Sequence, residues 1–300
     1  MTLAHPEAME TPKASVTSTG PRVRKLHAMI GAEIEGVDLS RPLDGSTVAF
    51  IKQAWADHIV LVFRNQNLTS DDQRNFASRF GPVAERLTPP DPGKDINAPK
   101  WKELMIISNE TGPDGEALGA LGQGEMWFHT DKCYVERPHR FSFLYGLVIP
   151  KQGGHTKFTS LVAAYERLSE EMKKKFDGKM VMQGHEYGAG RRINVNADLS
   201  KVHHHRQPLV VKNPWSGRNG LYVASQNTMW IEGMDRDESE RTLLQLFDLC
   251  ESPDLVYEHV WQVGDFVMWD NLSCLHARTD WSKDELRKLR RCTVVGDTLY

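Results

Sequence analysis

Apolar positions along this chain follow two different periods. Residues 46–58 carry Val48, Ile51 and Trp55 at helical spacing behind Ser46 and predict a helix. The unbroken apolar run from Ile59 to Phe63 predicts a buried strand. Residues 69–80 open with a Thr/Ser cap and place Asp71 and Asp72 in the first turn, where the helix dipole favours negative charge; Gly81 ends that helix. From Trp127 onward, short strand-like pieces alternate with turns, at 127–134, 141–148, 155–159, 208–212, 220–225, 257–262, 265–269 and 288–295. Two helical patterns interrupt them, near 160–176 and 236–250, the second with Leu243, Leu244 and Phe247 as a core stripe. Many short strands with few helices predict a mainly β sandwich or barrel with helices packed outside.

Two stretches break this pattern. Residues 82–100 carry five prolines, and 109–124 are rich in Gly, Asp and Glu. Loops of this length in a compact domain usually serve as lids or binding loops, so lid loops are expected over about 82–124. Residues 1–22 are polar and rich in Ser, Thr and Pro, which predicts a loose tail ahead of a single domain over 23–300. A chain of 300 residues buries roughly 75% of its unfolded surface and needs no metal or disulfide to hold it together. Lys plus Arg is 37 and Asp plus Glu is 40, a net charge of −3. That excludes a global drive toward nucleic acid or an anionic membrane and leaves room for a local basic pocket. There is no run of 18 apolar residues and no apolar leader segment. The four cysteines lack paired spacing, which favours a reducing cytoplasm over a zinc knuckle or a disulfide framework.

The candidate chemistry starts at His129-Thr-Asp131. On a strand these two side chains share one face. A histidine and a carboxylate are two ligands of a metal site, and a second histidine would complete the 2-His-1-carboxylate set of non-haem Fe(II) oxygenases. His276 is the candidate, on a strand that follows the apolar piece Phe266–Trp269 and the Asp270-Asn271 turn. A surface or core His–Asp pair is the alternative for His129 and Asp131, since short motifs recur by chance. Arg287 and Arg291 are four apart and share one strand face about 13 Å apart, with Arg290 on the other. Inward arginines in an apolar strand are expensive unless each meets an anion; a solvated edge strand is the alternative.

Taken together, His129-Thr-Asp131, Gly153-Gly-His-Thr156, Trp269-Asp-Asn271 with His276, and Arg287 with Arg291 resemble the taurine dioxygenase / 2,4-dichlorophenoxyacetate dioxygenase (TauD/TfdA-like) family. The resemblance runs from about residue 24 to 300 and includes Gly31–Leu39, Leu43, Phe80-Gly81 and Pro208-Leu-Val. Its spacings fit as a set: 27 residues from His129 to Thr156, 11 from His276 to Arg287, and four more to Arg291. It implies a double-stranded β-helix, or jelly roll, and an enzyme that uses Fe(II), 2-oxoglutarate and O2. His129, Asp131 and His276 would bind Fe(II), and Thr156 and Arg287 would hold the distal carboxylate of 2-oxoglutarate. A planar guanidinium suits a carboxylate bidentately. The retained Asp131 implies hydroxylation rather than halogenation, with release of succinate and CO2.

Arg291 matches the family arginine that meets the anionic group of the primary substrate, which implies a small organic acid. The histidine and tyrosine that taurine enzymes place after the Arg-Phe-Gly segment are absent from Pro82–Pro89, and Glu125 stands where the family has asparagine. An aryloxy or aromatic carboxylate is therefore expected in preference to taurine, with Glu125 and Trp127 as substrate-side residues and Phe128, Tyr134 or Trp230 as further wall candidates. The resemblance also implies a homo-oligomer, dimer or tetramer. His203-His-His205 is expected as a solvated loop, Arg191-Arg192 as a surface pair, and Cys133 and Cys274 as buried neighbours of the ligands rather than ligands. Two competing functions are a non-catalytic sensor or scaffold of the same fold that binds metal and keto acid, and a zinc hydrolase; the latter leaves Thr156 and Arg287 without a role.

Overall fold

The computed structural model describes residues 20–85, 101–186 and 190–300. Strands β1 (Arg22–Lys25) and β2 (Ala32–Glu35) precede helix α1 (Gly45–His58), β3 (Val60–Phe63) and α2 (Ser70–Ala77). Then come β4 (Met105–Ser108), β5 (Met126–His129), β6 (His139–Val148) and β7 (Thr156–Ser160). Helices α3 (Leu161–Glu166) and α4 (Glu170–Phe176) lead to β8 (Met180–His185), β9 (His203–Pro208), β10 (Val210–Lys212), β11 (Asn219–Leu221) and β12 (Thr228–Ile231). Helix α5 (Arg236–Cys250) is followed by β13 (Val256–His259), β14 (Phe266–Asp270), β15 (Cys274–Arg278) and β16 (Lys288–Val295).

A seven-stranded sheet, in the order β1-β2-β3-β14-β6-β16-β4, faces a four-stranded sheet in the order β13-β7-β15-β5. Both are antiparallel except for the β2–β3 pair. Their shared core holds Val62, Leu144, Val267, Trp269 and Leu289 from the larger sheet against Phe158 and Cys274 from the smaller. Alternate residues of the larger sheet, Leu61, Phe63, Phe143, Phe266 and Cys292, point the other way, onto Ile51 and Trp55 of α1 and Phe76 of α2. The outer face of the smaller sheet, through Leu275, packs with α3 and α5. This is the mainly β, double-stranded β-helix fold with flanking helices, and the inner faces of the two sheets are where a site can be built. Among the described residues, no helix is long and apolar enough to cross a membrane.

The helix ends follow local chemistry. Asp44 caps α1 by accepting from the Thr47 N–H at 2.7 Å, two residues ahead of the expected start. At α2, Thr69 and Asp72 form a reciprocal capping box. The pattern at 160–176 is two helices rather than one, because Ser169 caps a new helix by accepting from the Met172 N–H at 3.2 Å. The stripe on α5 also shifts: Leu243, Leu246 and Phe247 are buried, whereas Leu244 is 48% exposed.

Several strand expectations need correction. The piece at 127–134 ends at His129, because Lys132 adopts a left-handed φ of 56° and turns the chain. The piece at 220–225 stops at Leu221. His203–His205 forms part of the exposed edge strand β9, paired with β8, and is not a loop. Of the expected tail, residues 1–19 lie outside the described residues, and Arg22 already belongs to β1. Of the expected lid span, 86–100 also lies outside the described residues, while 105–108 is strand β4 beside β16. Residues 109–124 fold back on β4, where the Ala120 N–H donates to the Ile106 carbonyl at 2.9 Å.

Candidate metal and anion site

Pairing between β5, β15, β7 and β13 sets two adjacent rows of side chains on the inner face of the smaller sheet. In one row, His276 lies opposite His129 on one side and Phe158 on the other. In the next, Arg278 lies opposite Thr156, which in turn lies opposite His259. Residues two apart on a strand share a face, so His276 and Arg278 point into the same space.

One ligand-bearing atom from each of His129, Asp131 and His276 lies within 4.8 Å of the others. They converge by a different route from strand alternation: His129 is the last residue of β5, and Asp131 sits in the turn that follows. His129 Nδ1 lies 2.8 Å from the Trp127 carbonyl. A carbonyl can only accept, so Nδ1 carries the proton and Nε2 keeps its lone pair for a cation. His276 directs Nε2 toward Asp131, 3.7 Å from Oδ1, and its buried Nδ1 has no hydrogen-bond partner. Trp269 and Phe158 hold its ring, at centroid distances of 4.8 and 6.5 Å.

Charge in the cluster is set by burial and by one arginine. Burial pushes both His129 and His276 below the usual imidazole range, which keeps them neutral. Burial alone would raise Asp131, but the Arg291 guanidinium overcomes it and holds the carboxyl far below the usual range. Asp131 Oδ2 accepts from Ser142 Oγ at 2.5 Å and pairs with Arg291. Two neutral imidazoles and an ionised carboxylate on one side of a pocket fit a divalent cation of the borderline class.

The Trp269-Asp-Asn271 motif supports this cluster from behind. The Trp269 indole donates to Asn271 Oδ1 at 2.8 Å, and Asn271 Nδ2 donates to Ser142 Oγ at 3.0 Å, which directs the Ser142 O–H toward Asp131 as a donor. Asp270 instead pairs with Arg140 and fixes the turn by accepting from the Leu272 N–H.

Thr156 and Arg287 line the neighbouring space. The Thr156 hydroxyl accepts from the Trp261 indole N–H at 2.9 Å, so its own proton is available to donate. Arg287 stands one residue before β16, is 2% exposed, and donates from Nε to the Gly154 carbonyl at 2.8 Å. Among the described residues no carboxylate lies within 4.0 Å of it. Burial, with Arg278 nearby, pulls its pKa down to about 9. Gly153 and Gly154 sit at φ 73° and 64°, and a Cβ on Gly154 would lie 2.8 Å from Arg287 Cδ. Only glycine lets the backbone pass so close to that side chain.

The other sequence candidates fall out as follows. Arg290 points away from the pocket, donating to Gln73 and to the Leu68 and Thr69 carbonyls. Trp127 is half-buried, with the Arg191 guanidinium 5.9 Å from its ring centre. Glu125 is exposed, just ahead of β5, and no salt bridge joins it to another described residue. Trp230 is covered by Arg236, at 4.0 Å. Phe128 and Tyr134 pack on the outer core, and Tyr134 stacks on His185. Arg192 is a structural donor to the Ser225 carbonyl and Glu240, and Arg191 pairs with Glu251. Cys133 and Cys274 are fully buried in two different cores. Sequence reasoning missed Arg278, Trp261 and Ser142. Arg278 could have been found by the alternation argument used for Arg287 and Arg291; nothing in the sequence singles out Trp261.

Comparison with known proteins agrees with this geometry. Residues 22–293 match the model of the family described as "Taurine catabolism dioxygenase TauD, TfdA family". Pentalenolactone F synthase of Streptomyces avermitilis is 32% identical over 89% of this chain and 92% of its own length. The alpha-ketoglutarate-dependent 2,4-dichlorophenoxyacetate dioxygenase of Cupriavidus pinatubonensis is 30% identical over 91% and 97%. Among solved structures, a taurine dioxygenase from Burkholderia xenovorans superposes with a TM-score of 0.75 at 32% identity, covering 92% of this chain and 90% of that one. AAD-2 in complex with Mn(II) and N-oxalylglycine superposes with a TM-score of 0.74 at 26% identity, covering 94% and 100%.

Proposed function

This chain belongs to the TauD/TfdA family and is a 2-oxoglutarate-dependent dioxygenase, and from that premise we propose that it uses Fe(II) to hydroxylate a small anionic organic substrate, an aryloxy or aromatic carboxylate in preference to taurine. The observation that carries the cosubstrate assignment is Arg287, a buried cation with no carboxylate in reach among the described residues. The distal carboxylate of 2-oxoglutarate supplies the missing anion, with the Thr156 hydroxyl as a second donor.

His129, Asp131 and His276 would hold Fe(II). When bound, the metal would couple reduction of O2 to oxidative decarboxylation of 2-oxoglutarate, giving succinate and CO2. The chain's own residues orient and shield. The Trp127 carbonyl fixes the His129 tautomer, Ser142 and Arg291 keep Asp131 ionised, and the Trp269 and Phe158 rings exclude water beside His276. Arg291, on the inner face and paired with Asp131, is the cation that would turn to the substrate's anionic group.

The test is succinate formation with Fe(II), ascorbate and 2-oxoglutarate against aryloxyalkanoates, aromatic carboxylates, alkyl sulfates and taurine. Stimulation by the carboxylates, abolished by a chelator, is the expected result. Stimulation by taurine alone would overturn the substrate class, and no succinate from an iron-loaded protein would overturn turnover itself.

A further inference from the structure

Arg278 and Arg287 bracket a single indole. Their guanidinium carbons lie 4.9 and 5.3 Å from the centre of the Trp281 ring. The two residues are 7% and 2% exposed, and among the described residues no carboxylate lies within 4.0 Å of either. Two buried like charges repel, and each has given up its hydration. The π-face between them offsets part of that cost but brings no negative charge.

The hydrogen bonds Arg278 does make leave it cationic. Nε and one terminal nitrogen donate to the Gly124 carbonyl at 3.1 and 2.7 Å, and the other terminal nitrogen donates to the Leu121 carbonyl at 2.7 Å. A guanidinium has five N–H donors, so these three contacts leave two unspent. Across the β7–β15 pair, Arg278 is the register neighbour of Thr156 and shares its inner face. Thr156, Arg287 and Arg278 therefore surround one space with one hydroxyl and two cations. A single carboxylate has two oxygens and about four lone-pair sites, enough to accept from all three.

We propose that Arg278 is a specificity-determining residue of the cosubstrate pocket, a second cation for the distal carboxylate that selects dicarboxylate over monocarboxylate 2-oxo acids. This rests on the assignment of Thr156 and Arg287 to 2-oxoglutarate. The alternative is a purely structural role, in which Arg278 only pins residues 121–124 ahead of β5.

The two roles separate by calorimetric titration of the full chain, loaded with Mn(II), using 2-oxoglutarate and 2-oxovalerate. These acids have the same chain length and differ only at the distal carboxylate. The unchanged protein should prefer 2-oxoglutarate strongly, and Arg287→Gln should remove most of that preference. Arg278→Gln should weaken 2-oxoglutarate about tenfold and leave 2-oxovalerate within about twofold. Equal weakening of both acids, or no weakening of either, overturns the proposal while the Arg287 result keeps the pocket assignment. No preference in the unchanged protein overturns the pocket assignment itself. If Arg278→Gln does not fold, Arg278→Lys carries the test, since it keeps the charge and loses the planar fork. The dicarboxylate preference should then fall about threefold, and an unchanged preference or an equal loss for both acids overturns the proposal.

Discussion

Each ligand group is oriented by a different device. His129 is fixed by a backbone carbonyl, Asp131 by a hydroxyl and a guanidinium, and His276 by flanking rings. Removing any one device leaves the other two in place, so losses at this scale should be graded. Arg291 has two tasks: the cation expected to meet the substrate also sets the charge of Asp131, so an Arg291→Ala variant should affect metal retention as well as substrate binding. Trp261 offers a cleaner test, because it touches no proposed ligand. Its indole N–H reaches the Thr156 hydroxyl, while its ring packs edge-on against His259 at 4.6 Å. Trp261→Phe keeps one aromatic ring in the core and deletes the N–H donor along with the smaller ring of the indole. One neutral hydrogen bond contributes about 1 kcal/mol, so affinity for 2-oxoglutarate should fall roughly fivefold. The loss should vanish in a Thr156→Val background, because a double-mutant cycle isolates the pair. A full loss that persists in that background would show that Trp261 acts elsewhere.

At the scale of elements, the Gly153-Gly154 turn couples β6 and β7 to Arg287. Gly154→Ala adds backbone strain of about 1–3 kcal/mol at φ 64° and drives a Cβ into Arg287 Cδ. Gly233 is a matched control, with φ 72° and nothing nearer to a Cβ than Lys179 Nζ at 4.0 Å. Both alanine variants should lose stability to denaturant through the φ strain, Gly154→Ala the more because of its clash, and only Gly154→Ala should lose 2-oxoglutarate affinity; equal affinity in both would remove the glycine from the pocket. Elements of this kind were legible in the sequence where local chemistry decides them. The Thr69 cap, the apolar run before Arg64 and the helix at 236–250 all stand where the pattern puts them. Strands β1 and β9 were not legible, because charged, exposed or His-rich segments become strands only through their pairing partners. The His129–Asp131 contact was legible as a spacing, yet the left-handed Lys132 turn that produces it was not, since lysine has no preference for that conformation. The Trp261–Thr156 contact joins residues 105 positions apart, and no local pattern reports it.

At the scale of the whole molecule, packing a polar site between two sheets buries histidines that the unfolded chain leaves in water. Burial pushes His139 down to about 4, against the opposing attraction of Asp131, and pushes His185 down to about 4 as well. In the unfolded chain both titrate near 6.5. Between pH 6.5 and 4 the unfolded state therefore binds more protons than the folded state, and stability falls as pH is lowered through that window. Above 6.5 neither histidine contributes a slope. Asp131, held far below the usual carboxylate range, stays ionised in the folded protein while the unfolded carboxylate begins to take up a proton below about pH 5, so it deepens the fall at the acid end of the window, and the lowered His129 and His276 add to the same fall. The melting temperature should accordingly be flat from pH 8 to 6.5 and drop toward pH 4.5. His139→Asn should make that drop shallower, because asparagine has no proton to gain. A drop of unchanged steepness in the variant would show that His139 titrates normally in the folded protein, and a melting temperature that rises toward pH 4.5 would reverse the sign of the argument for the whole set.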